Sequence, residues 1–118
     1  LIAPEAMREI PFEIERVYFV YDTKPGVERG FHAHKTLEQW VVCVAGSCVM
    51  CIDDGSDRHD VLLDTPEKGL YIGGGLWREM REFAPGTVLM VIASMRYDER
   101  DYIRNYEDFL ALVRDNGR

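Results

Sequence analysis

No stretch of this chain approaches the roughly 20 apolar residues that a helix needs to cross a bilayer. Its 118 residues include only three cysteines, three histidines and five prolines. Positive charge is also scarce: 14 Lys and Arg face 21 Asp and Glu, a formal net charge of −7. Such a surface repels nucleic-acid phosphates and anionic lipid headgroups, so neither nucleic acid nor membrane is an expected partner. A few arginines converging in a cleft could still hold a phosphate, and Arg16, Arg29 and Arg78 are the ones to follow. Cys43, Cys48 and Cys51 lie in apolar stretches without paired metal spacing, and the C-x-x-C of Cys48 to Cys51 sits in a strand-like run. They are expected as buried, reduced thiols, which fits a cytoplasmic protein. No basic-then-apolar leader opens the residues given, and they begin on Leu1, so an upstream segment or a fused domain is expected.

Apolar residues make up 47% of the chain and charged residues 30%, a balance that supports a packed core. The length fits a single domain over 1–118. Short apolar runs recur at 16–21, 39–45, 47–52, 60–63, 70–72 and 87–93, the rhythm of an all-β protein. Val17, Phe19 and Tyr21 alternate with Tyr18 and Val20, as in a half-buried strand. Turn signals separate the runs: Lys24-Pro25-Gly26, Ala45-Gly46-Ser47, Asp54-Gly55 and Ala84-Pro85-Gly86. Seven or eight strands in a barrel or sandwich follow. The period changes at Asn105, where Tyr106, Phe109, Leu110 and Val113 predict one amphipathic C-terminal helix, capped by Asn105 and stopped near Gly117.

Two of the three histidines form Arg29-Gly30-Phe31-His32-Ala33-His34. In a strand, His32 and His34 project from the same face, so they can serve as a metal-ligand pair or as a proton-transfer pair. His59 follows Asp57-Arg58 near a turn and is expected at the surface. Cupin metal sites resemble G-x5-H-x-H-x3/4-E-x6-G followed by P-x-G-x2-H. Here Gly26, His32, His34 and Gly46 match. Glu38 arrives after three residues, but the four-residue spacing that sets the distance to Gly46 places Gln39 at the carboxylate position. In the second half, Gly73 to Arg78 puts Arg78 where the third histidine would stand. A guanidinium cannot ligate, and a fixed cation beside two imidazoles opposes a divalent ion. No metal and no other cofactor is therefore expected. Two histidines and an arginine suit proton transfer next to a carbonyl, with one imidazole as base and Arg78 stabilising the enediolate. Trp77 and Tyr21 each fit core packing as well as a ligand platform.

These residues carry a resemblance. Ile10-Pro11-Phe12 with Arg16-Val17-Tyr18, the block Arg29 to Lys35, Gly69-Leu70-Tyr71-Ile72, Trp77-Arg78-Glu79, and Tyr97-Asp98 through Asn105 to Phe109 run nearly end to end. Together they resemble the cupin-fold nucleotide-sugar 3,4-ketoisomerases, which act on thymidine-diphosphate (dTDP) 4-keto-6-deoxyglucose in deoxysugar biosynthesis. The resemblance implies a cupin-type jelly-roll β-barrel with one C-terminal α-helix and a metal-independent isomerase. It assigns His32 and His34 as the catalytic pair and Tyr21, Arg29, Arg78 and Trp77 as substrate-binding. It further implies a homodimer with exchanged N-terminal strands. Relatives carry a strand with a D-x-R-G-like turn before Leu1–Glu5, and this chain begins inside that strand. Two rival classes remain at this point: a metal-dependent cupin oxygenase or epimerase, and a non-catalytic sugar-nucleotide binding module. Neither the galacto or gluco outcome at C4 nor the nucleotide follows from the residues.

Overall fold

The computed structural model describes residues 4–117. Among the described residues, nine strands precede one α-helix. They are β1 (Arg16–Val20), β2 (Arg29–His34), β3 (Gln39–Ala45), β4 (Cys48–Asp53), β5 (Arg58–Leu63), β6 (Gly69–Ile72), β7 (Trp77–Arg81), β8 (Val88–Ala93) and the two-residue β9 (Tyr102–Ile103), with α1 at Tyr106–Asp115. The strands form two antiparallel sheets that face each other as in a jelly roll, β1-β8-β3-β6 and β5-β4-β7-β2-β9. The expected runs all appear as strands within one or two residues of their sequence bounds. The expected N-terminal strand over Leu1–Glu5 lies mostly outside the described residues, and Pro4 and Glu5 are not in a strand.

Alternation explains how the layers fill. Between the sheets, Val41 and Cys43 of β3, Cys48 and Met50 of β4, Leu63, Ile72, Leu89 and Val91 pack into one buried cluster. All three cysteines are free and buried, Cys43 and Cys48 in this cluster and Cys51 on the other face of β4, opposite Asp60 and Glu79. The outer face of the five-stranded sheet carries a second cluster, where Ala33, Trp77 and Ile103 receive Phe109 and Val113 of α1. Burying each of those two helix side chains contributes about 1.5–3 kcal/mol. The helix begins where the sequence says it should: the Asn105 side chain accepts from the Asp108 amide, satisfying one of the orphan donors of the first turn. A second tie is ionic. Buried Asp53 accepts from the Tyr106 hydroxyl at 2.7 Å, from the Gly55 amide at 2.7 Å and from Arg58 Nε at 2.9 Å. A buried carboxylate tolerates that position only with its lone pairs so occupied.

Glycine is required where the β3–β4 turn passes Thr87. Gly46 has φ +76°, and a Cβ there would lie 2.4 Å from Thr87 Oγ1. The four-stranded sheet is less completely covered. Ile10, Phe12, Trp40, Met90 and Ile92 pack over part of its outer face, while Val17 and Phe19 on edge strand β1 stay exposed.

Candidate active site

The two histidines owe their common direction to β2 and their neighbours to its pairing with β7. His32 stands opposite Arg78, so both project between the sheets, while Ala33 and Trp77 oppose each other on the helix-covered side. Register shifts between Gly30 and His32, because Phe31 is an extra residue on β2. Gly30 takes φ +90° and Phe31 φ +57°, a β-bulge held in a conformation that a bulky side chain adopts only under constraint. The bulge decides where Arg29 goes. Three residues before His32 it would face outward on a regular strand, but the bulge sets it opposite Met80, a cavity residue, and so on the inward parity, although Arg29 is itself exposed and not among the residues lining the cavity.

His34 is only 1% exposed, and its ring meets that of His32 edge-on, 4.9 Å between centroids and 84° between planes. Tyr102 closes the group, 4.3 Å from the His34 ring and 5.1 Å from the His32 ring, with the Arg104 guanidinium 4.2 Å over its own face. Asp101 Oδ2 lies 3.4 Å from His34 Nδ1, an ion-pair distance whose alignment falls short of a hydrogen bond. The carboxylate is held in place independently: Oδ1 accepts from the Thr36 amide and hydroxyl, and Oδ2 from the Leu37 amide. Burial pushes the Asp101 pKa up, but these donors outweigh it and the net direction is down.

Arg78 is 2% exposed and lies at the centre. One terminal nitrogen donates to the Gln39 side-chain carbonyl and the other to the Leu76 carbonyl at 3.1 Å, while Nε is buried without a partner. Gln39 in turn donates to the Tyr18 hydroxyl at 2.8 Å. Tyr18, His32, Gln39 and Arg78 line one cavity whose remaining wall is apolar, with Val20, Met50 and Val91 among its residues. A low-polarity wall of this kind sets the protonation states. Burial first, and then the Arg78 charge, lower the pKa of His32 to about 4 and that of His34 to about 3. Both rings are neutral near pH 7 and can accept a proton. Burial lowers Arg78 to about 10, partly opposed by the fields of Tyr18, Tyr102 and Asp101, so it keeps its charge. Burial also raises the Tyr18 phenol, which stays protonated.

This donor set does not fit a metal ion. Arg78 and Gln39 are joined to each other at the positions from which further ligands would reach the imidazoles. Among the described residues no three His, Cys, Asp or Glu side chains converge.

Two expected site residues are elsewhere. Trp77, 3% exposed, packs beneath α1 against Tyr106 and Phe109 at 5.2 and 5.8 Å, and its indole donates to Glu79 Oε2 at 2.9 Å. Strand alternation that turns Arg78 inward must turn its neighbour outward, which corrects the substrate-platform expectation. Tyr21 is 63% exposed beyond the end of β1, and the tyrosine that the cavity receives is Tyr18. The alternation of residues 17 to 21 shows two faces without saying which is inner. Tyr102 and Asp101 carried no periodic signal at all, since they sit on a two-residue strand and the 3-10 turn before it.

The WxcM-like, C-terminal family model matches residues 1–114. The TDP-4-oxo-6-deoxy-α-D-glucose-3,4-oxoisomerase of Aneurinibacillus thermoaerophilus is 51% identical over 113 residues, covering 96% of this chain and 81% of that one. A 3,4-ketoisomerase from Helicobacter canadensis superposes with a TM-score of 0.94 at 50% identity, over 98% of this chain and 86% of its own. The sugar 3,4-ketoisomerase QdtA of Thermoanaerobacterium thermosaccharolyticum, in complex with TDP, gives 0.95 at 39% identity, over 100% and 86%. A histidine-to-asparagine mutant of QdtA is in complex with TDP-4-keto-6-deoxyglucose.

Proposed function

The chain belongs to the WxcM-like family of cupin-fold sugar-nucleotide 3,4-ketoisomerases, and from that premise we propose that it moves the keto group of a TDP-linked 4-keto-6-deoxyhexose from C4 to C3 in deoxysugar biosynthesis. The observation that carries the reading is a pair of imidazoles, 4.9 Å between ring centroids, beside one buried guanidinium with an unpartnered Nε.

In the proposed mechanism His32, which lines the cavity, takes the proton from C3. The electron pair moves into a C3–C4 double bond, and negative charge develops on O4. Arg78 and the Tyr18 hydroxyl stabilise that oxygen. The imidazolium formed at His32 would be unfavourable beside Arg78 alone, but the enediolate charge appears in the same step and offsets it. O4 gains a proton, O3 loses one, and C4 receives one, with the His34 imidazole assisting that return. Nothing is gained or lost overall, so no cofactor is needed. Asp101, held by Thr36 and Leu37, supports the His34 ring when it carries charge. Arg29, brought to the same face by the bulge, would receive the diphosphate.

Incubation with TDP-4-keto-6-deoxyglucose followed by NMR tests the reaction and its C4 outcome together. His32→Asn and His34→Asn should leave the fold intact and abolish solvent deuterium incorporation into the hexose. Full exchange in both variants would remove the base assignment.

The assembly proposed with this function is a homodimer with exchanged N-terminal strands. Exposed Val17 and Phe19 on edge strand β1 support it, being an apolar, hydrogen-bond-competent margin. Light scattering behind size exclusion should return twice the chain mass. A cytoplasmic setting fits three buried free thiols, and no helix of the described residues is long and apolar enough to cross a membrane.

A further inference from the structure

Gln39 is 4% exposed, touches two site residues and has no chemistry of its own. The hydrogens of its bonds can nevertheless be assigned without seeing them. A guanidinium has donors and no acceptor, so the Gln39 atom that meets Arg78 must be the carbonyl oxygen. That leaves the amide NH2 facing Tyr18 at 2.8 Å, and an NH2 group only donates. The Tyr18 oxygen is therefore the acceptor of this bond, and its own proton must point somewhere else. The wall around it is mostly apolar, and the open direction is the cavity that Tyr18 shares with His32 and Arg78.

We propose that Gln39 is a positioning residue whose amide, locked in one sense by Arg78, turns the Tyr18 proton into the cavity and so makes Tyr18 an obligate donor to the substrate. This deepens the isomerase reading and rests on it for the identity of the acceptor, the sugar oxygen on which charge develops. A carboxylate in place of the amide would reverse the sense. It would pair equally well with Arg78, but toward Tyr18 it can only accept, and the phenol would then donate to it and not to substrate.

The test is Gln39→Glu, nearly isosteric and still able to hold Arg78. Its kcat should fall about 100-fold, the scale of one lost proton donor, with KM changed by less than about threefold. In a Tyr18→Phe background the same change should cost nothing further, because both act through one proton. Gln39→Asn, one methylene too short to bridge Arg78 and Tyr18, should show the same non-additivity and serves if Gln39→Glu folds poorly. Retained kcat, or losses that multiply with Tyr18→Phe, would overturn the proposal. A second readout needs no substrate: with 13Cζ-labelled tyrosine, assigned by Tyr18→Phe, the Tyr18 titration should move to higher pH in Gln39→Glu. An unmoved titration overturns the relay even if the wild-type protein fails to turn over the sugar nucleotide, which would overturn the isomerase reading instead.

Discussion

Acid should destabilise this protein well before its carboxylates protonate, and the buried histidines set the size of the effect. In the unfolded chain each imidazole titrates near its ordinary value of about 6.5. In the folded protein His32 and His34 are held down to about 4 and about 3. Between those values the unfolded state binds protons that the folded state does not, so stability must rise with pH and fall as pH is lowered through 6.5. At pH 5 both folded-state rings are still neutral, so the loss depends almost wholly on the unfolded chain. It amounts to about 2 kcal/mol for each histidine relative to pH 7.5, about 4 kcal/mol for the pair. That is a large share of a typical domain stability of about 5–15 kcal/mol. Urea denaturation followed by tryptophan fluorescence at the two pH values should show a midpoint lower by about 1.5–3 M at pH 5. A His32→Asn/His34→Asn double variant should lose most of that difference. Equal midpoints for the wild-type protein at pH 7.5 and 5, or an undiminished difference in the double variant, would refute the burial argument.

Arg78→Met should lower kcat by about 100- to 1,000-fold, the scale of one lost oxyanion donor. The same change should move the acid limb of kcat/KM to higher pH, because the charge that helps depress both histidines is gone. Trp77→Ala should cost about 3–5 kcal/mol in denaturation experiments by opening the layer under α1, whereas Trp77→Phe and Tyr21→Phe should leave KM for the sugar nucleotide unchanged in steady-state assays. Tyr106→Phe should cost about 1–3 kcal/mol of stability by leaving buried Asp53 one donor short, read as a lower thermal midpoint with normal kcat.

Legibility from sequence followed periodicity. The apolar run of β3, the Asn105 cap and the His-x-His pair are local signals, and each appears in the structure where the spacing predicts it. Arg78 was legible through its place in a spaced motif. β7 itself was not legible as a strand, because Trp-Arg-Glu-Met-Arg alternates a helix-covered indole with an inward guanidinium and looks like neither a buried nor a half-solvated strand. Tyr18 was missed in favour of Tyr21 for a related reason. Alternation is symmetric under a shift of one residue, and only the partner strand β8, distant in sequence, decides which parity faces the cavity. Asp101 reaches His34 across 67 positions of chain, with no local pattern to announce it.

The symmetry that hid Tyr18 has a converse in β7. Were that strand to pair one residue out of step, the charged group would be driven beneath the helix and the indole would occupy the catalytic chamber, so that both faces would fail together. A misaligned molecule could be neither well folded nor active. Specific activity per folded molecule should therefore stay constant across preparations, because only one alignment of β7 satisfies both of its faces.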